Sequence, residues 1–202
     1  MSETPLRRVV KVGGSLLSSP ALVDDLRRWV SQNAPATTFF LAGGGGLVEA
    51  IAAQQHTFGF DDEAAHWLCI RAMQIHFEML AALMPECGRV ASFDTRTAAS
   101  SSQLSGANWL DPWALMQHDL AHAAAMHGLS PLPADWSVSS DSIAARAAIL
   151  LGADELVLLK STLATIGEAN YVDGYFATAA ASIPRVRFVD LRGRNFAEHS
   201  YR

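Results

Sequence analysis

Cysteine is scarce in this chain, and its scarcity excludes two classes of small protein. Cys69 and Cys87 are the only two cysteines among 202 residues, and they do not form a C-x-x-C pair. A disulfide framework or a zinc ribbon needs more cysteines at closer spacing. We therefore expect two buried thiols in a reducing compartment.

Charge is also sparse, since charged residues make up 17% of the chain and the net charge is −5. No run of Lys or Arg exceeds two residues, so the basic surface that nucleic-acid binding requires is absent. No stretch approaches the roughly 18 uninterrupted apolar residues of a membrane span, and the first residues carry no apolar signal segment. We expect a cytoplasmic protein without nucleic-acid or membrane partners.

Short apolar runs alternate with helical patterns along the chain. Strands buried on both faces are predicted at residues 8–12, 37–42, 89–93, 155–160 and 186–191. Helices are predicted at residues 20–32, 47–55, 61–84, 112–126 and 139–151, and a polar loop at 95–105. This alternation predicts an α/β protein with a largely parallel sheet covered on both sides, and no linker divides it into separate domains.

The predicted helix at 61–84 is apolar nearly all round. Its polar residues Arg71, Gln74 and Glu78 form one narrow stripe at helical spacing. A helix of this kind is buried either in the core or against a second subunit, and we favour the subunit contact.

Two predicted strands run directly into glycines, in VVKVGGSLL and FFLAGGGGLVEAI. Glycine lets the backbone approach a ligand closely, and a helix that follows adds partial positive charge, so both places suit an anionic group such as phosphate. Neither matches a known nucleotide fingerprint. A tight strand-to-helix turn explains them equally well.

Lysine is rarer than arginine, and both lysines lie at strand ends. Lys11 precedes the first glycine pair and Lys160 ends ELVLLK, each in an otherwise apolar run. Ligands bind at the carboxyl edge of open α/β sheets, where two converging cations balance the charge of a transferring phosphoryl group. The alternative is that each ammonium simply extends to solvent.

The stretch DWSVSSDSIA places hydroxyls and acids before a run of small apolar residues. Ser139 or Ser140 is a suitable helix N-cap, and Asp141 in the first turn suits the helix dipole. A carboxylate between two lysines would also fix their positions and keep both protonated. Composition does not decide between a cap and this orienting role.

Four segments in order, KVGGSLL, LAGGGGLVEAI, DWSVSSDSIAARAAILLGADELVLLKS and YVDGYF, resemble the amino acid kinase superfamily over nearly the whole chain. Within it, DDEAAHWLCIRAM and SDSIA are most similar to the small kinases that phosphorylate aminomethylfuran phosphate in methanofuran-type cofactor synthesis. Uridylate and acetylglutamate kinases are similar more distantly. The resemblance implies a three-layer α/β/α sandwich, ATP with Mg²⁺ as cofactors, a small-molecule acceptor and at least a homodimer.

The resemblance also implies roles for individual residues. Residues 1–130 would bind the acceptor and residues 131–202 the nucleotide, within a single kinase-like domain and with no dedicated metal cage. The implied catalytic residues are Lys11, Asp141 and Lys160, and the implied phosphate-binding residues are Gly13, Gly14, Ser15, Gly43, Gly44, Gly45 and Gly46. The implied nucleotide contacts are Ser161, Tyr171, Asp173 and Gly174, and the implied acceptor contacts are Asp62, His66 and Ser140.

The sequence departs from this family pattern in two places. The Val-Asp-Gly stretch at 172–174 follows Lys160 about a dozen residues later than in many relatives, which affects the adenine contacts. Residues 117–129 look like an insertion, which affects the acceptor pocket.

Several histidines allow rival readings. His66 faces the apolar side of its helix, where a buried core histidine is the simpler interpretation and an acceptor contact the alternative. His118, His122 and His127 could form a metal-binding face or a solvated surface. The predicted function is an ATP-dependent phosphotransferase acting on a small phosphorylated or carboxylated acceptor. Its rival is a non-catalytic nucleotide- or oxyanion-binding storage protein on the same fold.

Overall fold

The computed structural model describes residues 5–93, 106–163 and 171–201. The polar loop predicted at 95–105 therefore lies outside the described residues. The described strands are β1 Leu6–Val12, β2 Ala36–Ala42, β3 Gly88–Val90, β4 Ala107–Leu110, β5 Glu155–Lys160, β6 Val186–Asp190 and β7 Glu198–Ser200. They form one sheet in the order β3-β4-β2-β1-β5-β6-β7. The pairs are parallel except for β6 with β7, so the predicted mainly parallel sheet is confirmed.

Helices connect these strands. The described ones are α1 Leu22–Gln32, α2 Gly45–Phe58, α3 Asp62–Leu83, α4 Pro112–His127, α5 Ser140–Leu150 and α6 Phe176–Ala179, with a 3₁₀ turn at Gly14–Ser18. Asp61 caps α3 by accepting a hydrogen bond from the Ala64 backbone N–H, and aspartate is a preferred residue at this N-cap position. None of the helices in the described ranges is both long and apolar enough to cross a bilayer.

The core is divided by the sheet into two apolar clusters. Alternate residues of a strand point to opposite faces, so Val9 of β1 packs with α4, α5 and α6 while Val10 packs with α1. Helix α3 contributes to both clusters, through Ile70 on one side and Phe77 on the other. The predicted three-layer α/β/α sandwich follows from this arrangement.

The predicted strand boundaries are close to the observed ones, with three differences, and the short helix α6 lies outside every predicted helix. The run 89–93 is a strand only over Gly88–Val90, and β4 lies outside every predicted strand. β4 has four residues, too few to show a buried-strand pattern. β7 is exposed at all three positions, so it lacks any apolar signal. β4 pairs with β2, which is distant in sequence, whereas β7 pairs antiparallel with β6, the strand directly before it.

Helix α3 is buried on one side and exposes apolar residues on the other. Ile75 is 59% exposed, and the exposed apolar residues at matching helical positions are Leu68, Met79 and Leu83. We call these four residues the α3 apolar stripe. The core reading of this helix thus holds for one face, and the stripe is the face available for a subunit contact.

Candidate active site

Two lysines and one aspartate meet at the carboxyl ends of the central strands. The Lys11 Nζ lies 2.8 Å from Asp141 Oδ1, and the Lys160 Nζ donates to Asp141 Oδ2 at 2.9 Å. Lys160 also donates to the Tyr171 carbonyl oxygen at 2.9 Å. Asp141 is 4% exposed and Lys11 is 5% exposed. One buried carboxylate therefore bridges two ammonium groups.

The sequence places these three side chains on one face of the sheet. Residue 11 of β1 pairs with residue 158 of β5, so Lys160 follows two positions later and shares its face. Ser139 is the N-cap of α5, and its hydroxyl accepts from the Asp141 backbone N–H. This cap fixes Asp141 in the first turn. The stretch DWSVSSDSIA thus caps the helix through Ser139 and leaves the Asp141 carboxylate for the lysines.

The electrostatics of this bridge favour the charged form of the aspartate. Burial acts to raise the pKa of Asp141, but the charges of Lys11 and Lys160 together outweigh it, so the pKa lies below its usual range. Burial, and next the charge of Lys11, lower the pKa of Lys160 despite the opposing attraction of Asp141. The charged form of Lys160 is therefore disfavoured by its burial next to a second ammonium group.

The two glycine turns contact each other backbone to backbone beside the lysines. A Cβ on Gly14 would lie 2.8 Å from the Gly45 nitrogen, and one on Gly43 would lie 2.9 Å from the Gly14 nitrogen. Only glycine allows this approach. Gly45 also has a positive φ of 52°. The Gly13 N–H donates to the Leu159 carbonyl oxygen at 2.9 Å, which ties the first turn to β5.

A cavity of about 920 Å³ opens next to these turns. Its lining includes Gly14, Ser15 and Gly44 to Gly46 from the two glycine turns, together with Ser139 and Ser140 from the start of α5. Another part of the lining is one face of α3, formed by His66, Cys69, Ile70, Met73 and His76. The space suits a small molecule with an anionic end and an apolar body.

Both imidazoles in the cavity wall favour the neutral form. Burial lowers the pKa of His66, with a smaller opposing hydrogen bond to the Asp135 backbone. Burial likewise lowers the pKa of His76, whose Nδ1 lies 3.0 Å from the Gly43 carbonyl oxygen. The His66 Nε2 is buried with no hydrogen-bond partner within the described ranges. His66 is thus a core histidine that also borders the cavity.

Asp62 is not among the residues that line the cavity, but hydrogen bonds through Gln55 link it to Trp136, an exposed lining residue that we take as the rim. The Gln55 side-chain amide donates to Asp62 Oδ1 at 2.8 Å, and the Trp136 indole N–H donates to Gln55 Oε1 at 2.8 Å. Trp136 and Asp135 are in the cavity wall. Two hydrogen bonds therefore connect Asp62 to the Trp136 indole.

The predicted nucleotide contacts lie beyond Lys160. Ser161 Oγ is 2.9 Å from Ser15 Oγ, which joins the end of β5 to the first glycine turn. The Tyr171 ring packs on Phe188 at 4.9 Å between centroids, and its hydroxyl donates to the Thr162 carbonyl oxygen. Gly174 is in the turn before α6, with open space around its Cα.

Asp173 is fully engaged with the start of α5. Its carboxylate accepts from the Ser139 N–H at 2.9 Å, the Ser142 N–H at 3.0 Å and both serine hydroxyls. It therefore acts as a second cap and brings the Val-Asp-Gly stretch beside Asp141. The late position of that stretch in the sequence does not remove it from the site.

Several cavity-lining residues are not among the site residues predicted from the sequence. Helical spacing could have indicated Cys69, Met73 and His76, because they follow His66 on one face of α3. Burial raises the pKa of Cys69 to about 11, so this thiol is a weak nucleophile. Arg192 also lines the cavity, and nothing in the sequence around it predicts that position.

His118 and His122 of α4 are not among the residues that line the cavity. The His118 and His122 rings are 5.0 Å apart, and His118 also packs on Phe93. The intervening Asp119 is paired with Arg146 of α5. Within residues 5–93, 106–163 and 171–201 no three His, Cys, Asp or Glu side chains group as metal ligands. The side chain of His127 lies outside the described set.

The parallel sheet, the paired glycine turns and the bridged lysines together define a phosphotransferase type of α/β protein. A family model described as the amino acid kinase family matches residues 7–162. The chain belongs to the amino acid kinase family. No curated protein sequence matches it at a significant level.

Solved structures of similar fold include three uridylate (UMP) kinases. That of Archaeoglobus fulgidus is 15% identical, with a TM-score of 0.62, and the match covers 90% of this chain and 89% of the other. UMP kinase of Ureaplasma parvum is 10% identical, with a TM-score of 0.67 over 95% and 92% of the two chains. UMP kinase of Bacillus anthracis is 11% identical, with a TM-score of 0.61 over 95% and 90%. At this identity the likeness shows the fold.

Proposed function

We propose that this protein is an ATP-dependent kinase that transfers a phosphoryl group to a small phosphorylated or carboxylated acceptor. The observation that carries the proposal is the Lys11–Asp141–Lys160 bridge, buried at the strand ends beside two glycine turns. Two fixed cations next to backbone N–H groups stabilise the negative charge of a transferring phosphoryl group. Asp141 holds both ammonium groups in position.

The chemistry needs no general base. An ionised oxygen of the acceptor attacks the γ-phosphorus of ATP, and the bond to the β–γ bridging oxygen breaks. The electron pair of that bond leaves with ADP, so the products are ADP and a diphosphate or an acyl phosphate. Positioning and charge stabilisation carry such a transfer, in agreement with a site built from lysines and glycines.

The acceptor would occupy the cavity between the glycine turns and α3, in the N-terminal part of the chain at about 1–130. Its anionic end would face Gly14 and Gly44 to Gly46, and its apolar body would pack against Met73 and His66. Ser140 would contact the acceptor, and Asp62 would act through the cavity rim. Aminomethylfuran phosphate is the first acceptor to test, and UMP is the second because uridylate kinases are among the similar solved structures.

ATP would bind beside the end of β5, within about 131–202, near Ser161, Tyr171, Asp173 and Gly174. The described carboxylates nearest the lysines are already used, since Asp141 bridges two ammonium groups and Asp173 caps α5. A Mg²⁺ ion fits here as a companion of the phosphate oxygens, which it prefers together with water. Bound in this way, it would neutralise charge on the nucleotide phosphates.

The chain would form at least a homodimer through the α3 apolar stripe. A second copy offers the same stripe, so a two-fold contact would bury both. Sedimentation velocity on the wild type and on Ile75→Glu tests this, with Leu120→Glu as the control because Leu120 of α4 is 57% exposed outside the stripe. A dimer that persists in Ile75→Glu would contradict the assignment.

The function is tested by calorimetry with ATP and Mg²⁺, followed by ³¹P NMR with each acceptor. The variants are Asp141→Asn and, as a matched control, Asp119→Asn, which removes a buried carboxylate paired with Arg146 away from the cavity. We expect ATP binding and a diphosphate product in the wild type and in folded Asp119→Asn. Nucleotide binding without transfer to any acceptor would support the storage protein instead.

A further inference from the structure

Arg192 is held in the cavity wall by a structured turn after β6. β6 pairs with β5 so that Asp190 lies opposite Lys160, which brings the turn to the same sheet edge as the lysines. The Asp190 carboxylate accepts from the backbone N–H groups of Arg192 and Gly193 at 3.0 and 3.2 Å. The Leu191 N–H donates to the Lys160 carbonyl oxygen at 3.0 Å. The backbone that carries Arg192 is therefore fixed beside Lys160.

The Arg192 guanidinium points at the first glycine turn. Its Nη2 donates to the Ser15 carbonyl oxygen at 3.0 Å, which links residues far apart in the chain. Ser15 in turn contacts Ser161 through their hydroxyls, directly after Lys160. The Arg192 side chain thus reaches the turn that follows Lys11 in the chain and contacts the residue after Lys160.

The Arg192 guanidinium has N–H donors that its hydrogen bond to Ser15 does not use. A guanidinium carries five N–H donors, and the contact with Ser15 uses one of them. Within the described part of the chain, Arg192 makes no ion pair, although Glu49 and Asp135 also border the cavity. An arginine that faces a cavity with open donors and no carboxylate partner is suited to an oxyanion that binds there.

Arg192 adds a third cation near the strand ends that carry Lys11 and Lys160. The carboxylates at this edge already have partners, since Asp141 bridges the two lysines, Asp173 accepts from the start of α5 and Asp190 accepts from the backbone of its own turn. In the part of the chain that the structure describes, the Arg192 guanidinium is therefore a cation at this edge that no carboxylate neutralises through an ion pair.

We propose that Arg192 is a third phosphate-binding cation, which contacts the oxygens of the phosphoryl group in transfer. This role rests on the proposed phosphotransfer, and it assigns Arg192 to the transferred group because its anchor, Ser15, joins the glycine turn to Ser161 at the end of β5. Arg192 then acts mainly in the transition state. Its loss lowers kcat more than it raises KM for the acceptor.

The test compares Arg192→Ala and Arg192→Lys with a control on the same loop. Arg194→Ala removes an exposed arginine that is not among the cavity-lining residues. The first readout is calorimetry with inorganic pyrophosphate, which requires an anion site but no activity. We expect Arg192→Ala to bind pyrophosphate at least about tenfold more weakly, and Arg192→Lys to fall between it and the wild type. Arg194→Ala stays within about twofold of the wild type in this comparison, because it is outside the site.

The second readout is phosphotransfer at saturating substrate. We expect kcat of Arg192→Ala to fall by about 100-fold. Added guanidinium ion would restore part of this loss, which a merely structural contact between Arg192 and Ser15 would not allow. If the wild type transfers the phosphoryl group and the Arg192→Ala and Arg194→Ala variants behave alike in both readouts, the role of Arg192 is overturned and the kinase assignment stands. Absence of transfer by the wild type, with pyrophosphate binding that depends on Arg192, would overturn the kinase and leave the anion site intact.

Discussion

The replacement of Asp141 by asparagine removes one charge and almost no volume. In the wild type the carboxylate is buried between two ammonium groups at 2.8 and 2.9 Å. Asn keeps the shape and one oxygen, but it leaves Lys11 and Lys160 facing each other without a counter-charge. The perturbation is therefore electrostatic, and packing contributes little to it.

The expected loss of stability follows from the burial of this bridge. Removing one partner of a buried ion pair costs about 3–5 kcal/mol, because the remaining charge stays desolvated. The free energy of unfolding should fall by that amount at neutral pH, and Tm should fall by about 6–20 °C for a chain of this size. The Lys160 pKa, already lowered by burial and by Lys11, should fall further.

The pH dependence separates this cause from a packing defect. The pKa of Asp141 is lowered in the folded state, so its contribution is complete above the ordinary aspartate pKa of about 3.9 and is lost as pH falls further. The stability difference between the wild type and Asp141→Asn should therefore shrink at acidic pH. Urea unfolding monitored by tryptophan fluorescence, repeated from pH 7 to pH 3, measures it.

The matched variant Asp119→Asn sets the scale. Asp119 is buried, pairs with Arg146 and accepts from the Leu132 N–H at 3.0 Å. It should lose stability to a similar degree and keep ATP affinity. Equal stability of Asp141→Asn and the wild type at pH 7, or a difference that does not change with pH, would refute the electrostatic reasoning.

Three further predictions concern the cavity wall. Gly14→Ala should unfold about 1–3 kcal/mol more easily, because its Cβ would meet the Gly45 nitrogen at 2.8 Å, whereas Gly46→Ala has no atom within 4 Å and should be tolerated in the same thermal melts. Burial lowers the pKa of His66, so below about pH 6.5 the unfolded chain binds more protons than the folded one, and the free energy of unfolding decreases as the pH decreases. His66→Phe should reduce this pH dependence between pH 7 and 5, and an unchanged dependence would contradict the buried neutral state of His66. Cys69 has a pKa of about 11, so iodoacetamide at pH 8 should label the native protein at least about tenfold more slowly than the unfolded one, as mass spectrometry can follow.

Strand periodicity carries much of the site in advance. A lysine at the end of a buried strand must face either a cavity or a partner, and two such lysines on neighbouring parallel strands converge at one edge. Lys11 and Lys160 do converge, on the face covered by α5. The glycine pairs after β1 and β2 contact each other because those two strands are neighbours.

The remaining parts depend on contacts between distant segments. The sequence marks Asp173 as part of a motif, but its hydrogen bonds to Ser139 and Ser142 join two segments that are about 30 residues apart in the chain. Arg192 enters the cavity only because β6 lies beside β5. Asp62 has the residue type of an acceptor contact, yet its position in the helix directs it to Gln55 and the rim. No local pattern records such tertiary choices.

The central position of β1 separates two kinds of change that this protein can undergo. β1 carries Lys11, leads into Gly13 and Gly14, and has a strand partner on each side. A strand in this position belongs to the part of a sheet whose amide hydrogens exchange most slowly. One wall of the cavity belongs to α3, outside the sheet. Under the proposed function, substitutions on that helix would reshape the acceptor pocket while the lysine bridge stays assembled, so a new acceptor could be acquired without rebuilding the chemistry.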